Sequence, residues 1–231
     1  MCKTLQNKVE EQIVWHEFGH IFGFYISQKL GYNFGKITKI ELNEKPYSIT
    51  LKGSPYDLLG AKDWEQLKIN LNKDTKQLLV YFLYVLSGAV FNIAYFKQNP
   101  DLEDFEKIFL KDEKVEKVDS YVARAGNDFY WIHGCWFDLS WGDAYDFNNF
   151  KSMALECFYL LQKHSIFCCL QSVMVEFERD LNGFTTTDSV KIRGLLEVIE
   201  KMIEVEQQKK LLSEINDLLN KYIAEIETTK K

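Results

Sequence analysis

The sequence predicts an α+β chain that is predominantly α-helical, with a small β-sheet beside its first helix. Three observations carry that expectation. Apolar residues recur at helical spacing over residues 5–30, 63–96, 147–181 and 190–226. Two short runs with β-branched residues, KITKIEL (36–42) and YSITLK (47–52), follow the first helix, and Asn43 to Pro46 lie between them to turn the chain. Three prolines and twelve glycines in 231 residues are too few for a collagen-like, linker-rich or many-turned β architecture.

The elements follow in order. The first helix, about Leu5 to Leu30, sets Val9, Ile13, Val14, Phe18, Ile21, Phe22 and Tyr25 at helical spacing, and Gly31 suits the position just past its end. From Asp63 to Phe96 the pattern is helical again and becomes wholly apolar. Leu78 to Phe96 runs nineteen residues without a charge, close to a bilayer-spanning length. A buried core helix is the preferred reading, because neither flank is decisively basic and Trp and Tyr scatter along the whole chain. Gln98 to Lys117 is acidic and lysine-rich and reads as a solvated excursion with a short helix. Asp128 to Trp141 is aromatic and irregular. Phe147 to Leu181 carries two helical stretches split near His164. Thr185, Thr186 and Thr187 offer capping side chains for the last helical region. There Leu195, Ile199, Met202, Leu211, Ile215, Leu218, Tyr222 and Ile226 make an apolar stripe. A hairpin folded back on the domain, with Glu204 to Lys210 as its polar break, is preferred for it over a coiled coil or a partner-binding helix.

Composition narrows the function classes. With 46% hydrophobic and 27% charged residues the chain is an ordinary globular one rather than a disordered one. A net charge of −6 argues against a nucleic-acid footprint, which needs a basic face. The five cysteines, Cys2, Cys135, Cys157, Cys168 and Cys169, are odd in number and form no CxxC. They make neither a disulfide framework nor a cysteine zinc site, and a reducing cytoplasm is expected. Cys168 and Cys169 read as packed residues rather than nucleophiles. Met1 to Gln12 is charged and lacks the apolar run of a signal peptide.

One motif carries chemistry. Residues 15–20 read Trp15-His16-Glu17-Phe18-Gly19-His20, an HExxH on the first helix. His16 and His20 stand four apart, so both imidazoles project from one helix face and can meet one metal ion. Glu17 is placed to take a proton, as general base, from a water that a zinc ion acidifies. Chance produces this pattern on the order of once in a few hundred chains of this length, and here it falls mid-helix among Ile13, Val14, Ile21 and Phe22. Two of the four histidines are in it.

A catalytic zinc needs a third protein ligand. The pattern HExxHxxGxxH would put a histidine at position 26, which is Ile26, although Gly23 matches. No later N-E-x-x-S-D helix supplies a thermolysin-like glutamate. An aspartate remains.

The HEFGH motif, the apolar helix after it and KITKIEL together resemble the protease domain of the FtsH family, the M41 zinc metallopeptidases. Leu86-Ser87-Gly88-Ala89-Val90-Phe91-Asn92 is similar to that family's L-x-G-x-A-A-E helix, and its small residues suit close helix packing. Val175 to Phe184 and the threonines after it resemble the family's closing segment. The resemblance covers about Val9 to Ile192 and is specific at HExxH. It implies a zinc ligand of the N-D-L-x-x-A type at a helix start. Asp146, followed by a helical run to Leu161, is favoured over Asp128 in Gly126-Asn127-Asp128-Phe129. Asp143 comes third, and His133 stays open as a ligand or transition-state donor.

Departures from the family shape the expectation. The chain has no G-x-x-x-x-G-K-[ST] phosphate loop, so the unfolding ATPase is missing; Asn92 replaces the glutamate of the small-residue helix, and residues 99–140 read as an insertion. The expectation is an ATP-independent zinc metalloendopeptidase domain over residues 1–185, with a helical extension over 186–231. His16, His20 and Asp146 would hold Zn2+, and Glu17 would be catalytic. Flexible or unfolded polypeptide would be the substrate, with no nucleic acid or membrane partner, and the C-terminal helices would be available for a protein partner or self-association. The alternative is a catalytically silent binding module on the same fold.

Overall fold

The computed structural model describes residues 5–32, 34, 37, 39–42, 49–52, 62–63, 65–66, 69–70, 74–109, 147–183, 186–187 and 189–229. Helix α1 spans Leu5–Lys29. It ends where periodicity placed its end: Gly31 adopts φ +88°, and the Tyr32 amide donates back to the Ser27 carbonyl at 2.9 Å, which closes the last turn. Helix α2, Thr75–Phe96, starts at Asp74, whose carboxylate accepts from the Lys76 and Gln77 amides.

Every residue of α2 from 78 to 93 is buried. That explains a helix apolar all round: it is enclosed by its neighbours. By length and composition it is also able to cross a membrane. Around it stand α1, α3 (Leu102–Phe109), α4 (Phe147–Lys163) and α7 (Val205–Thr229). Phe82 of α2 meets Phe150 of α4 edge-on at 5.3 Å. Helix α5 (Ile166–Gly183) follows α4 after a break at His164 and Ser165, the latter at φ 54°. Its Phe167 contacts Phe91 and Phe158, and its Phe177 contacts Phe18 of α1. Side chains of this size each contribute about 1.5–3 kcal/mol when fully buried, so the ring cluster joining α1, α2, α4 and α5 dominates the core.

Helix α6 (Ser189–Met202) and α7 pack back on this body. Leu211, Ile215, Leu218, Leu219, Tyr222 and Ile226 are buried, and the Tyr222 hydroxyl donates to Glu156 of α4 at 2.9 Å. The break between α6 and α7 falls at Ile203 and Glu204, the N-terminal edge of the polar stretch. Asp104 and Phe105 of α3 are buried, so this helix is not the solvated excursion its charges suggested. Asp104 pairs with Lys97 and with the Asp101 amide.

The α+β expectation is corrected: the architecture is all-helical. Three short strand pieces occur in the described backbone: β1 (Lys39–Leu42), β2 (Ile49–Lys52) and β3 (Thr186–Thr187). They pair antiparallel in the order β2-β1-β3, with Lys39 opposite Lys52 and Ile40 opposite Thr187. None exceeds four residues; β2 lies against α1, and the buried apolar residues described are helical apart from Phe34, Ile37 and Ile203. β-branched content makes a local ribbon, but class follows from what buries against what, and here helix buries against helix. Thr186 and Thr187 lie in the strand pairing with β1, one residue short of the α6 start, rather than simply capping that helix.

Candidate metal centre

The HExxH falls in the middle of α1, and the helix brings its two histidines together. His16 Nε2 and His20 Nε2 are 3.2 Å apart, with ring planes at 89°. The two residues are 5% and 7% exposed. Two nitrogens bound to one tetrahedral zinc at about 2.0–2.1 Å stand about 3.3 Å apart. The observed spacing therefore fits one ion shared by both rings. It also fits a direct N–H···N hydrogen bond.

The second nitrogen of His20 bears on this choice. His20 Nδ1 lies 3.4 Å from the Tyr84 carbonyl oxygen of α2. A carbonyl only accepts, so a hydrogen bond here requires the proton on Nδ1, the tautomer that leaves an Nε2 lone pair toward His16. Metal-binding histidines commonly have one ring nitrogen oriented by a backbone carbonyl in this way.

Space for the rings comes from α2. A Cβ at Gly88 would stand 2.6 Å from His20 Cε1 and Nε2 and 3.0 Å from His16 Cε1. Gly19 and Gly23 of α1 bring the two backbones together. A Cβ at Gly19 would meet the Gly88 Cα at 2.9 Å, and one at Gly23 would meet the Tyr84 Cα at 2.9 Å. Gly23, which matched the HExxHxxGxxH pattern, thus has a packing reason to be glycine.

Glu17 follows His16 and is partly exposed. One turn before His16, Gln12 Nε2 donates to Asn92 Oδ1 at 2.9 Å, with both side chains fully buried. Trp15 stacks obliquely on Tyr95 at 5.7 Å beyond this pair.

Of the residues named for the site, the structure brings His16 and His20 together, and Glu17 follows His16 on the same helix. Asp146, Asp128, Asp143 and His133 lie outside the described residues. Among the described residues no group of three or more His, Cys, Asp or Glu side chains converges as a metal site, so the described donor set is the two imidazoles. Sequence reasoning missed Gly88 as the space-giver, the Tyr84 carbonyl and the Gln12–Asn92 pair. Their signal is a polar row at 12, 16 and 20 on one apolar helix and a row at 84, 88 and 92 on another.

Cys168 is exposed rather than packed, whereas Cys157 is buried. Burial pushes the Cys157 thiol up to about 12, which makes it inert at neutral pH. No family model, curated protein or solved structure matches the chain.

Proposed function

We propose that this chain is a zinc metalloendopeptidase that cleaves flexible or unfolded polypeptides without ATP. The observation that carries the reading is the 3.2 Å approach of the His16 and His20 Nε2 atoms on a helix that also presents Glu17. Asp146 is the proposed third ligand; in sequence it immediately precedes Phe147, the first residue of α4. Bound zinc supplies Lewis acidity, which polarises a peptide carbonyl and acidifies water. Glu17 takes the proton from the attacking water as the new C–O bond forms. It then returns that proton to the amine nitrogen as the C–N bond breaks. His20, held through Nδ1 by the Tyr84 carbonyl, keeps its orientation throughout. This chain carries no phosphate-loop sequence, and flexible segments are the proposed substrates.

One observation favours the second reading, a catalytically silent module: the two imidazoles are 5% and 7% exposed, a burial that also suits a structural metal or a histidine–histidine hydrogen bond. Peptide or casein cleavage by the wild type and by Glu17→Gln separates the two. The peptidase reading expects cleavage that falls by about 10²–10⁴-fold in the variant with zinc retained. Cleavage that is absent, or unchanged by the substitution, refutes it.

A further inference from the structure

We infer that the buried Gln12–Asn92 amide pair locks the register of α1 against α2, and so sets Gly88 opposite the two imidazoles. Both amides are then positioning residues of the candidate metal centre. The inference depends on the metal-centre reading for its functional consequence and on the helix pairing for its geometry.

Gln12, His16 and His20 follow one another at intervals of four on α1, and Tyr84, Gly88 and Asn92 do so on α2. The helices run antiparallel, so the rows face each other in reverse order. Gln12 Nε2 donates to Asn92 Oδ1 at 2.9 Å, Gly88 abuts both imidazoles, and the Tyr84 carbonyl meets His20 Nδ1 at 3.4 Å. Much of the remaining contact is aromatic side chains and glycine-backed backbone, as at Phe18–Phe91, Phe22–Phe91 and Gly19–Gly88. The aromatic contacts are weakly directional, the glycine contacts resist a slip sterically, and the amide pair adds a directional preference for this one alignment. A slip of one turn would bring Tyr84 or Asn92 into the place of Gly88, and their side chains would occupy the space the rings need.

The pair is a poor choice for stability. Both side chains are fully buried, and Gln12 Oε1 and Asn92 Nδ2 have no hydrogen-bond partner among the described residues. Two apolar side chains of similar size would avoid that desolvation. What one directional hydrogen bond adds in an apolar helix interface is preference for a single alignment, as a lone buried asparagine does in a coiled coil.

The test uses three forms of the full chain: wild type, Gln12→Leu/Asn92→Leu, and the exchange Gln12→Asn/Asn92→Gln, which keeps an amide on each helix. Nuclear Overhauser contacts between the Gly88 α-protons and the Hε1 protons of His16 and His20 read the alignment without any metal. Zinc titration reads the consequence. The leucine pair is expected to fold, to melt at or above the wild-type temperature, to lose those contacts and to bind zinc at least tenfold more weakly. The exchanged pair keeps both. The lock is overturned if the leucine pair retains the contacts, if the exchanged pair loses them too, or if the wild type lacks them. Should the leucine pair not fold, Asn92→Ser, too short to reach Gln12, replaces it under the same criteria. A wild type that shows the contacts but takes up no zinc overturns the metal-centre reading alone, and the proton contacts still decide the lock.

Discussion

Gly88 of α2 stands so close to His20 of α1 that a Cβ at position 88 would lie 2.6 Å from its Cε1 and Nε2. The missing side chain is the space that the imidazole fills. The same helix pair shows the opposite case at Gly19, where an added Cβ would press on backbone, 2.8 Å from the Ser87 carbonyl carbon and 2.9 Å from the Gly88 Cα. A ring at the end of a side chain can move aside, and a packed backbone cannot.

That contrast predicts different outcomes for two alanine substitutions. Gly88→Ala should displace the imidazoles, weaken zinc binding by tenfold or more, and change stability little, because better helix propensity, worth up to about 1 kcal/mol, offsets the strain. Gly19→Ala should push the helices apart and destabilise the fold by about 1–3 kcal/mol. Thermal melts with zinc titrations on both variants check this. Equal effects on stability would contradict the assignment of the space at Gly88 to the rings.

The third ligand is separable by the same titration. Asp146→Ala should lower zinc affinity by at least two orders of magnitude, while Asp128→Ala should leave it within a few-fold of wild type. The reverse pattern would move the ligand to Asp128, and no effect from either would move it elsewhere.

Alkaline stability offers a test at the far end of α1. Burial, and next the Glu200 carboxylate, push the Tyr25 hydroxyl up to about 12, although Gln208 donates to it. A folded-state value raised above the unfolded one gives stability that is complete below about pH 10 and fades as pH rises through 12. Urea denaturation at pH 9 and pH 11.5 should therefore show a smaller loss for Tyr25→Phe than for the wild type. A loss of equal size in both would show that Tyr25 ionises as freely folded as unfolded.

Cysteine labelling checks the packing around α4 and α5. Cys168 is exposed and Cys157 buried, so a thiol reagent at pH 8 should modify Cys168 in the native chain and reach Cys157 only on unfolding. Native labelling of Cys157 at the rate of Cys168 would contradict this packing of α4.

Much of this arrangement is legible in the sequence, for identifiable reasons. A spacing of four puts His16 and His20 on one face of any helix, so the pair can be read without knowing the fold. The unbroken apolar run in α2 marks a helix enclosed on all sides, and Gly31 marks a helix end through its positive φ. KITKIEL and YSITLK do supply strands, but in pieces of four residues, too little to turn a helical chain into an α+β one. Helix α3 was misjudged because its charges hide Phe105 and a buried, paired Asp104. Gly88 and Asn92 stand in rows that the sequence shows, but their roles depend on which helix faces which. Periodicity along one helix carries no such information.

Metal content decides whether His16 and His20 hold the proposed zinc ion between them. Wild type, His16→Ala and His20→Ala would be purified from zinc-supplemented cells, dialysed and assayed for zinc per chain by mass spectrometry, with circular dichroism as the check on folding. Close to one zinc per wild-type chain, and almost none in either folded variant, is the expected result. A wild type without zinc, or variants that keep it, would refute the shared site.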